Sequence, residues 1–517
     1  MLNKRSFIYQ AGILAASNTA LLLLGFAYRI LIGRLAGPEG MGVYTLVIQV
    51  YTIVMAVSVY GMCVAVTHMG ASLNANHDLC GVRRLIRFAF IWFLSLFVLM
   101  AIPIALFRNA IAANILGDPR TAPALLMILA CVFFTGFENI LKALFHGMRL
   151  VKYTSISEVG EQILRISLAA ALLLKFINND HGRTALLILC AMTLSELYSV
   201  LFLCAAYFKK IVRPARNGRP KNKNIRRSFI RLALPSTITS VLGNVFASFT
   251  VILFPLRLMR AGYMRVNAVS TLGVISGMIS PVLMLPSAFI NALCTLLMPT
   301  IAGCVSRNNQ QELQAKIGKG VEAIGLLGVP STALILPFTS LICVLLFEQT
   351  ASFSLIFLLA VDLLVIYYIT FINCVLNGLG RQKQVLLLAA SREIVQLTLV
   401  WFLTAMPSLH VYGYVIGLLL GDTLHMVTGM AYIHRITAIK MRPFHSAVVP
   451  AACAIILYCT ARLLFFQLLS MGLTLVVAFL FTFLCCILLY ILLLRLLGIR
   501  VLSYFRRTLF IPSDALP

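Results

Sequence analysis

Residues 88–106 read FAFIWFLSLFVLMAIPIAL, nineteen positions without a charged side chain. An α-helix rises 1.5 Å per residue, so about 20 such residues match the roughly 30 Å of hydrocarbon in a bilayer. A second unbroken run fills 469–494, and comparable stretches recur from Ser6 to Leu497. Strands of a membrane barrel would show alternating segments of about ten residues instead. Over its 517 residues the chain is 61% hydrophobic and 11% charged, with mean hydropathy +0.99. Ordinary soluble domains carry about 25% charged residues. The sequence therefore predicts an all-α polytopic integral membrane protein.

The expected spans are 8–32, 42–67, 86–107, 122–145, 153–175, 184–207, 232–256, 267–300, 320–346, 351–376, 384–405, 411–433, 446–466 and 471–497, fourteen in all. Lys4 and Arg5 before the first run imitate a secretory signal, but the run continues to about Ile32, longer than a signal's apolar region, and reads as a span. With the N-terminus inside, inner segments hold 29 Lys and Arg against 8 at the outer ends and loops. This excess puts both termini in the cytoplasm. The net charge of +27 is spread along these segments, with its densest run, KKIVRPARNGRPKNKNIRRSFIR, at 209–231. That run reads as a cytoplasmic linker that sets topology or meets anionic membrane lipids; nothing else supports nucleic-acid binding. The 13 cysteines are scattered without a C-x-x-C and read as small apolar residues, so neither a metal site nor a cofactor is expected.

Landmarks recur across the linker. FHGMRLVKYTSISEVGEQI (145–163) and LNGLGRQKQVLLLAASREI (376–394) share Gly147/Gly378 and Lys152/Lys383 at an offset of 231, and Glu161 and Glu393 follow at similar distances. Glu196 with Ala206-Tyr207 matches Asp422 with Ala431-Tyr432 at 225 to 226. These predict a duplicated six-helix unit: an N-terminal half 1–208, the basic linker 209–231, a C-terminal half 232–435, an extra helix pair 436–497 and a cytoplasmic tail 498–517. Six is even, so the copies enter from the same side and their pseudo-two-fold axis runs along the membrane normal, the parallel-repeat plan of transporters.

An ionisable group in the bilayer costs about 2.5–3.5 kcal/mol on insertion scales, so such groups face protein or a wet cavity. Glu158, Glu161 and Arg165 share one face of span 5, where Glu161 and Arg165 are spaced to pair. An internal ion pair and a substrate or proton role are both open. Arg392 and Glu393 lie in span 11 as further cavity candidates. Arg29, without an acid on its own helix, is either a snorkelling side chain or a contact to a ligand phosphate. Arg257 and Arg260 end span 7, with Arg265 behind, against the positive-inside bias; an anionic partner or lipid headgroups would explain them. Span 8 carries Pro281, Pro286 and Pro299 and is too long for one straight helix, which makes Pro281 and Pro286 hinge candidates or packing accommodations. Gln49, Asn139, Asn291 and Asn373 are amides that either join helices or meet sugar hydroxyls.

FAYRILIGRLAGPEGMGVY (26–44), the stretch 254–293 beginning FPLRLMRAGYMRV, and LNGLGRQK (376–383) resemble the stage V sporulation protein B family of the multidrug/oligosaccharidyl-lipid/polysaccharide exporter superfamily. The resemblance covers nearly the whole chain. It implies a fourteen-helix flippase of the bacterial cytoplasmic membrane. Its cargo would be an undecaprenyl-pyrophosphate-linked saccharide, lipid II for cell wall or spore cortex or a polysaccharide repeat unit, with cell-wall synthesis enzymes as candidate partners. In related lipid II flippases a first-helix arginine lines the cavity that holds the pyrophosphate. Its match is Arg29, although the acidic residue that commonly follows it there is Ile30 here. Arg257 is the looser second-half counterpart.

Other readings compete. A polysaccharide enzyme would need a catalytic site, which outer loops of about 5 to 15 residues and inner loops without an acidic metal motif do not house, so no catalytic residue is expected. A multidrug or cation antiporter of the same superfamily would favour acidic cavity residues, and span 1 has none. A non-transporting cell-wall scaffold is the third alternative. The chain lacks a P-loop, so ATP is not a direct driving force.

Overall fold

The computed structural model describes residues 4–176, 180–212, 225–439 and 448–497. Most of the basic linker (213–224), Lys440 and Arg442, and the tail from 498 lie outside the described residues. Every regular element among the described residues is helical, as the apolar runs require: backbone polar groups in lipid must be satisfied within the segment itself.

In chain order the helices are α1 Lys4–Met55, α2 Gly61–Ala75, α3 Leu79–Leu106, the single turn α4 Arg108–Ala110, α5 Ala122–Gly147, α6 Val151–Phe176, α7 His181–Tyr207, α8 Ile225–Arg260 and α9 Arg265–Leu272. They continue with the short α10 Ser280–Leu283, α11 Ser287–Ser306, α12 Gln310–Phe347, α13 Phe353–Gly378, α14 Gln382–Leu403, α15 Val411–Thr437, α16 Val449–Ser470 and α17 Leu475–Leu496. Asp78, Asp180, Asn309 and Ser352 cap α3, α7, α12 and α13 by accepting backbone N–H bonds, so the loop polar residues act as start signals.

Thirteen helical stretches among the described residues are long and apolar enough to cross a membrane. The first of these, Ser17–Ala75, covers the expected span 8–32 from Ser17 onward and all of 42–67, the two meeting where Gly37 takes φ 68° ahead of Pro38. A helix cannot pass such a backbone unbent, and only glycine adopts it readily. The second span then passes through a π-helical turn, Ala56–Tyr60, into α2. The 26-residue α6 falls outside the thirteen because it carries Lys152, Glu158, Glu161, Arg165 and Lys175. Span 8 is broken: α9, a π-helical stretch Gly273–Ile279 and α10 are separated from α11 by a turn at Met284–Pro286. With that pair read as one span, the helices supply the fourteen expected.

The chain forms two compact units, Met1–Met278 and Ile279–Pro517, which meet in sequence inside the Gly273–Ile279 stretch. In the first, α1 packs on α6 to α9, α5 on α7, and α2 on α5 and α8. Backbones come very close at two glycines: a Cβ on Gly42 would sit 2.0 Å from the Val269 carbonyl oxygen, and one on Gly273 would sit 1.9 Å from that of Pro38. Small residues permit this approach, which packing in lipid depends on because hydrophobicity does not drive it. In the second unit α13, α14 and α15 form one bundle, and α12 carries α16. Phe338 of α12 meets Phe465 and Phe479 edge-on at 5.2 and 5.1 Å, and the Tyr490 hydroxyl donates to the Leu326 carbonyl. The extra pair is thus pinned to α12. The outer face of α17 is left exposed, with Leu480, Leu484 and Leu488 turned outward as a lipid-facing helix requires.

Candidate functional site

Each unit buries one charged network, and both networks draw on the fourth, fifth and sixth spans of their six-span set. In the first unit Glu138 and Lys142 of α5 are one turn apart, and Lys142 Nζ lies 2.5 Å from Glu138 Oε1. The same ammonium reaches Glu161 Oε2 at 3.4 Å and Glu158 Oε1 at 3.5 Å on α6. Arg165 Nη2 pairs with Glu161 on its own helix and with Glu196 Oε1 of α7 at 2.9 Å. Its Nε donates to Ser195 Oγ at 3.1 Å, and Ser199 Oγ donates to Glu138 Oε1 at 2.5 Å. Four carboxylates therefore surround two cations. Glu138, Glu161 and Glu196 are all buried, and Glu196 Oε2 has no hydrogen-bond partner among the described residues. One oxygen from each of these three carboxylates lies within 4.8 Å of the others, close enough to hold a cation, although Lys142 and Arg165 already supply positive charge there.

In the second unit Arg392 of α14 pairs with the adjacent Glu393 and, through Nη1, with Asp422 Oδ1 of α15 at 3.2 Å. Gln396 Nε2 donates to the same Asp422 oxygen at 2.9 Å and to the Leu418 carbonyl at 3.1 Å. Asp362 of α13 and His425 of α15 are buried, at 5% and 1% exposure, and Asp362 Oδ1 and both ring nitrogens of His425 lack hydrogen-bond partners among the described residues. Here three acids stand against one guanidinium, so this network too is rich in carboxylate.

The structure brings Glu158, Glu161 and Arg165 together as their spacing suggested, and it joins Arg392 to Glu393. Arg29, Arg257 and Arg260 are in neither network. Arg29 is exposed and its Nη1 donates to the Ser276 carbonyl at 3.4 Å, in the π-helical stretch of span 8. Arg257 is buried and Arg260 exposed in the last turn of α8. Pro281 stands in the first turn of α10 and Pro286 immediately precedes α11, so the two flank the broken turn. Sequence reasoning missed Glu138, Asp362, Gln396 and His425. The i, i+4 spacing of Glu138 and Lys142 was a usable signal, whereas Asp362 has no charged neighbour on its helix.

The sequence pattern of the family described as "Polysaccharide biosynthesis protein" matches residues 8–304. Stage V sporulation protein B of Bacillus subtilis is 25% identical over 448 residues, 85% of each chain. Sporulation protein YkvU of the same organism is 18% identical over 427 residues, covering 81% of this chain and 93% of its own. An inward-facing multidrug resistance MATE family transporter of the MOP superfamily matches with a TM-score of 0.69 at 18% identity, over 81% of this chain and 94% of that one. A MOP superfamily transporter from Pyrococcus furiosus gives 0.57 at 17%, over 83% and 96%. At these identities the solved structures speak to the fold alone. The family match spans more than half of the sequence, and the chain belongs to the polysaccharide biosynthesis protein family.

Proposed function

We propose that this protein is a flippase of the bacterial cytoplasmic membrane that moves an undecaprenyl-pyrophosphate-linked saccharide from the inner to the outer leaflet by alternating access. The observation that carries the reading is the family match over residues 8–304. The likeness to stage V sporulation protein B makes lipid II for the spore cortex the first cargo to test, with a polysaccharide repeat unit next. Both termini lie in the cytoplasm in this reading, and two six-helix halves joined by the 209–231 linker rock about span 8, with Pro281 and Pro286 at its broken turn.

Arg29 is the leading contact for the pyrophosphate. It is exposed, and its one hydrogen bond among the described residues is a long one to a neutral carbonyl, so its charge is available to an anion. Arg257 and Arg260 are the second-half candidates. The buried networks suit a different task. Their cations are held by carboxylates, so an anionic headgroup would be repelled there; they brace three helices of each bundle. Their surplus carboxylates offer a place for a coupling proton or monovalent cation.

Purified protein in vesicles with lipid II tests the proposal through headgroup accessibility to an external reagent. Movement of lipid II supports it. Transport of cationic dyes without lipid II movement would instead establish the multidrug antiporter reading, which the fold shared with MATE transporters keeps open.

A further inference from the structure

Eight cations collect along the start of α3, the end of α7 and the first described turns of α8, where the nearby acid, Asp78, is buried and caps α3 through the Gly81 N–H. Arg83, Arg84 and Arg87 stand exposed in the first turns of α3. Lys209 and Lys210 are exposed on Phe208–Val212, the π-helical extension of α7, which packs against α3. Arg226, Arg227 and Arg231 are exposed in the first turns of α8, which also packs on α3. No Asp or Glu occurs in 79–117 or in 197–311, and none of these eight cations has an ion pair among the described residues. Like charges gathered on neighbouring helices repel one another, and an anion from outside the chain relieves that repulsion.

The surface below the cations identifies that anion. The Arg226 guanidinium lies over the Phe88 ring, 5.8 Å from its centroid, and Phe88 follows Arg87 and stands one helical turn from Arg84 on α3. Phe88 in turn meets Phe229 edge-on at 5.1 Å. Beyond Arg87 α3 carries no charge up to Leu106, and it turns Ile91 and Leu94 outward at 56% and 44% exposure. A soluble polyanion gains nothing from those side chains; a lipid meets both layers.

We propose that this seam docks an anionic phospholipid, its phosphate among Arg84, Arg87 and Arg226 and an acyl chain along Ile91 and Leu94. Arginine suits the task because its planar fork binds phosphate in a bidentate manner. This proposal does not depend on the flippase reading.

Native mass spectrometry of the purified full-length protein, titrated with phosphatidylglycerol or phosphatidylcholine, tests this. Wild type should retain phosphatidylglycerol selectively, and R84Q, R87Q and R226Q should each weaken that retention about fivefold, following the typical contribution of one basic residue near a membrane surface. R307Q in the second unit should leave it unchanged. Equal retention of both lipids by wild type, or undiminished phosphatidylglycerol retention in the triple glutamine variant, would overturn the proposal and leave these cations to topology alone. Displacement of phosphatidylglycerol by an equimolar amount of inorganic pyrophosphate would overturn it in favour of a soluble anion. Should the triple variant fail to fold, the three single variants decide.

Discussion

The guanidinium of Arg165 on α6 holds the Glu196 carboxylate of α7 at 2.9 Å while also pairing with Glu161 one turn back on its own helix. One side chain thus ties two spans together. Removing one partner of a buried pair leaves the other uncompensated at a cost of about 3–5 kcal/mol. Arg165→Leu should therefore lower the thermal unfolding midpoint sharply, and Arg165→Lys should lower it less. Equal midpoints for Arg165→Leu and wild type in detergent would refute the bracing role.

Gly273 and Gly303 are both helical, yet their surroundings differ. A methyl on Gly273 would strike the Pro38 carbonyl oxygen, while nothing lies within 4 Å of one on Gly303. Gly273→Ala should reduce folded yield, measured by size-exclusion chromatography. Gly303→Ala should be neutral or stabilise by up to about 1 kcal/mol, the helix-propensity difference between the two residues.

Asp422 and Asp362 belong to one network with unequal commitments. Asp422 accepts from both Arg392 and Gln396, whereas Asp362 Oδ1 has no partner among the described residues. Asp422→Asn should therefore destabilise by about 1–3 kcal/mol, the range for losing a charged hydrogen-bond acceptor. Asp362→Asn removes a carboxylate from a carboxylate-rich site, and its thermal midpoint should be no lower than wild type.

Arg29→Glu reverses an exposed charge whose hydrogen bond, at 3.4 Å to the Ser276 carbonyl, contributes little to the fold. Folded yield should be retained while headgroup movement in vesicles is lost, with Arg29→Lys in between. Undiminished movement by Arg29→Glu would remove this residue from the transport path.

The spans were legible because hydrocarbon thickness imposes a length that composition alone reveals. The Glu161–Arg165 pair was legible because both ends sit on one helix, where spacing gives direction. Glu196 and Asp422 drew notice only as repeat landmarks, since pairing between helices depends on rotations that one strand of sequence does not encode. Gly37 was quoted for its likeness, yet its φ of 68° marks the kink at which the first span gives way to the second. Asp362 stayed hidden because its charged neighbours, Arg392 and Asp422, lie on α14 and α15, far along the chain.

The π-helical turn at Ala56–Tyr60 bears on how this molecule tolerates change. A wider turn holds one residue more than an α-turn, and each residue of an α-helix advances the azimuth by about 100°. Everything from Gly61 to Ala75 is therefore out of phase with the helix that leads into it, and it is in this shifted phase that Gly61 meets the Thr237 backbone. Deleting a single residue between 56 and 60 would restore regular winding and turn that glycine away from its neighbour. A perfect helix would be the wrong one here.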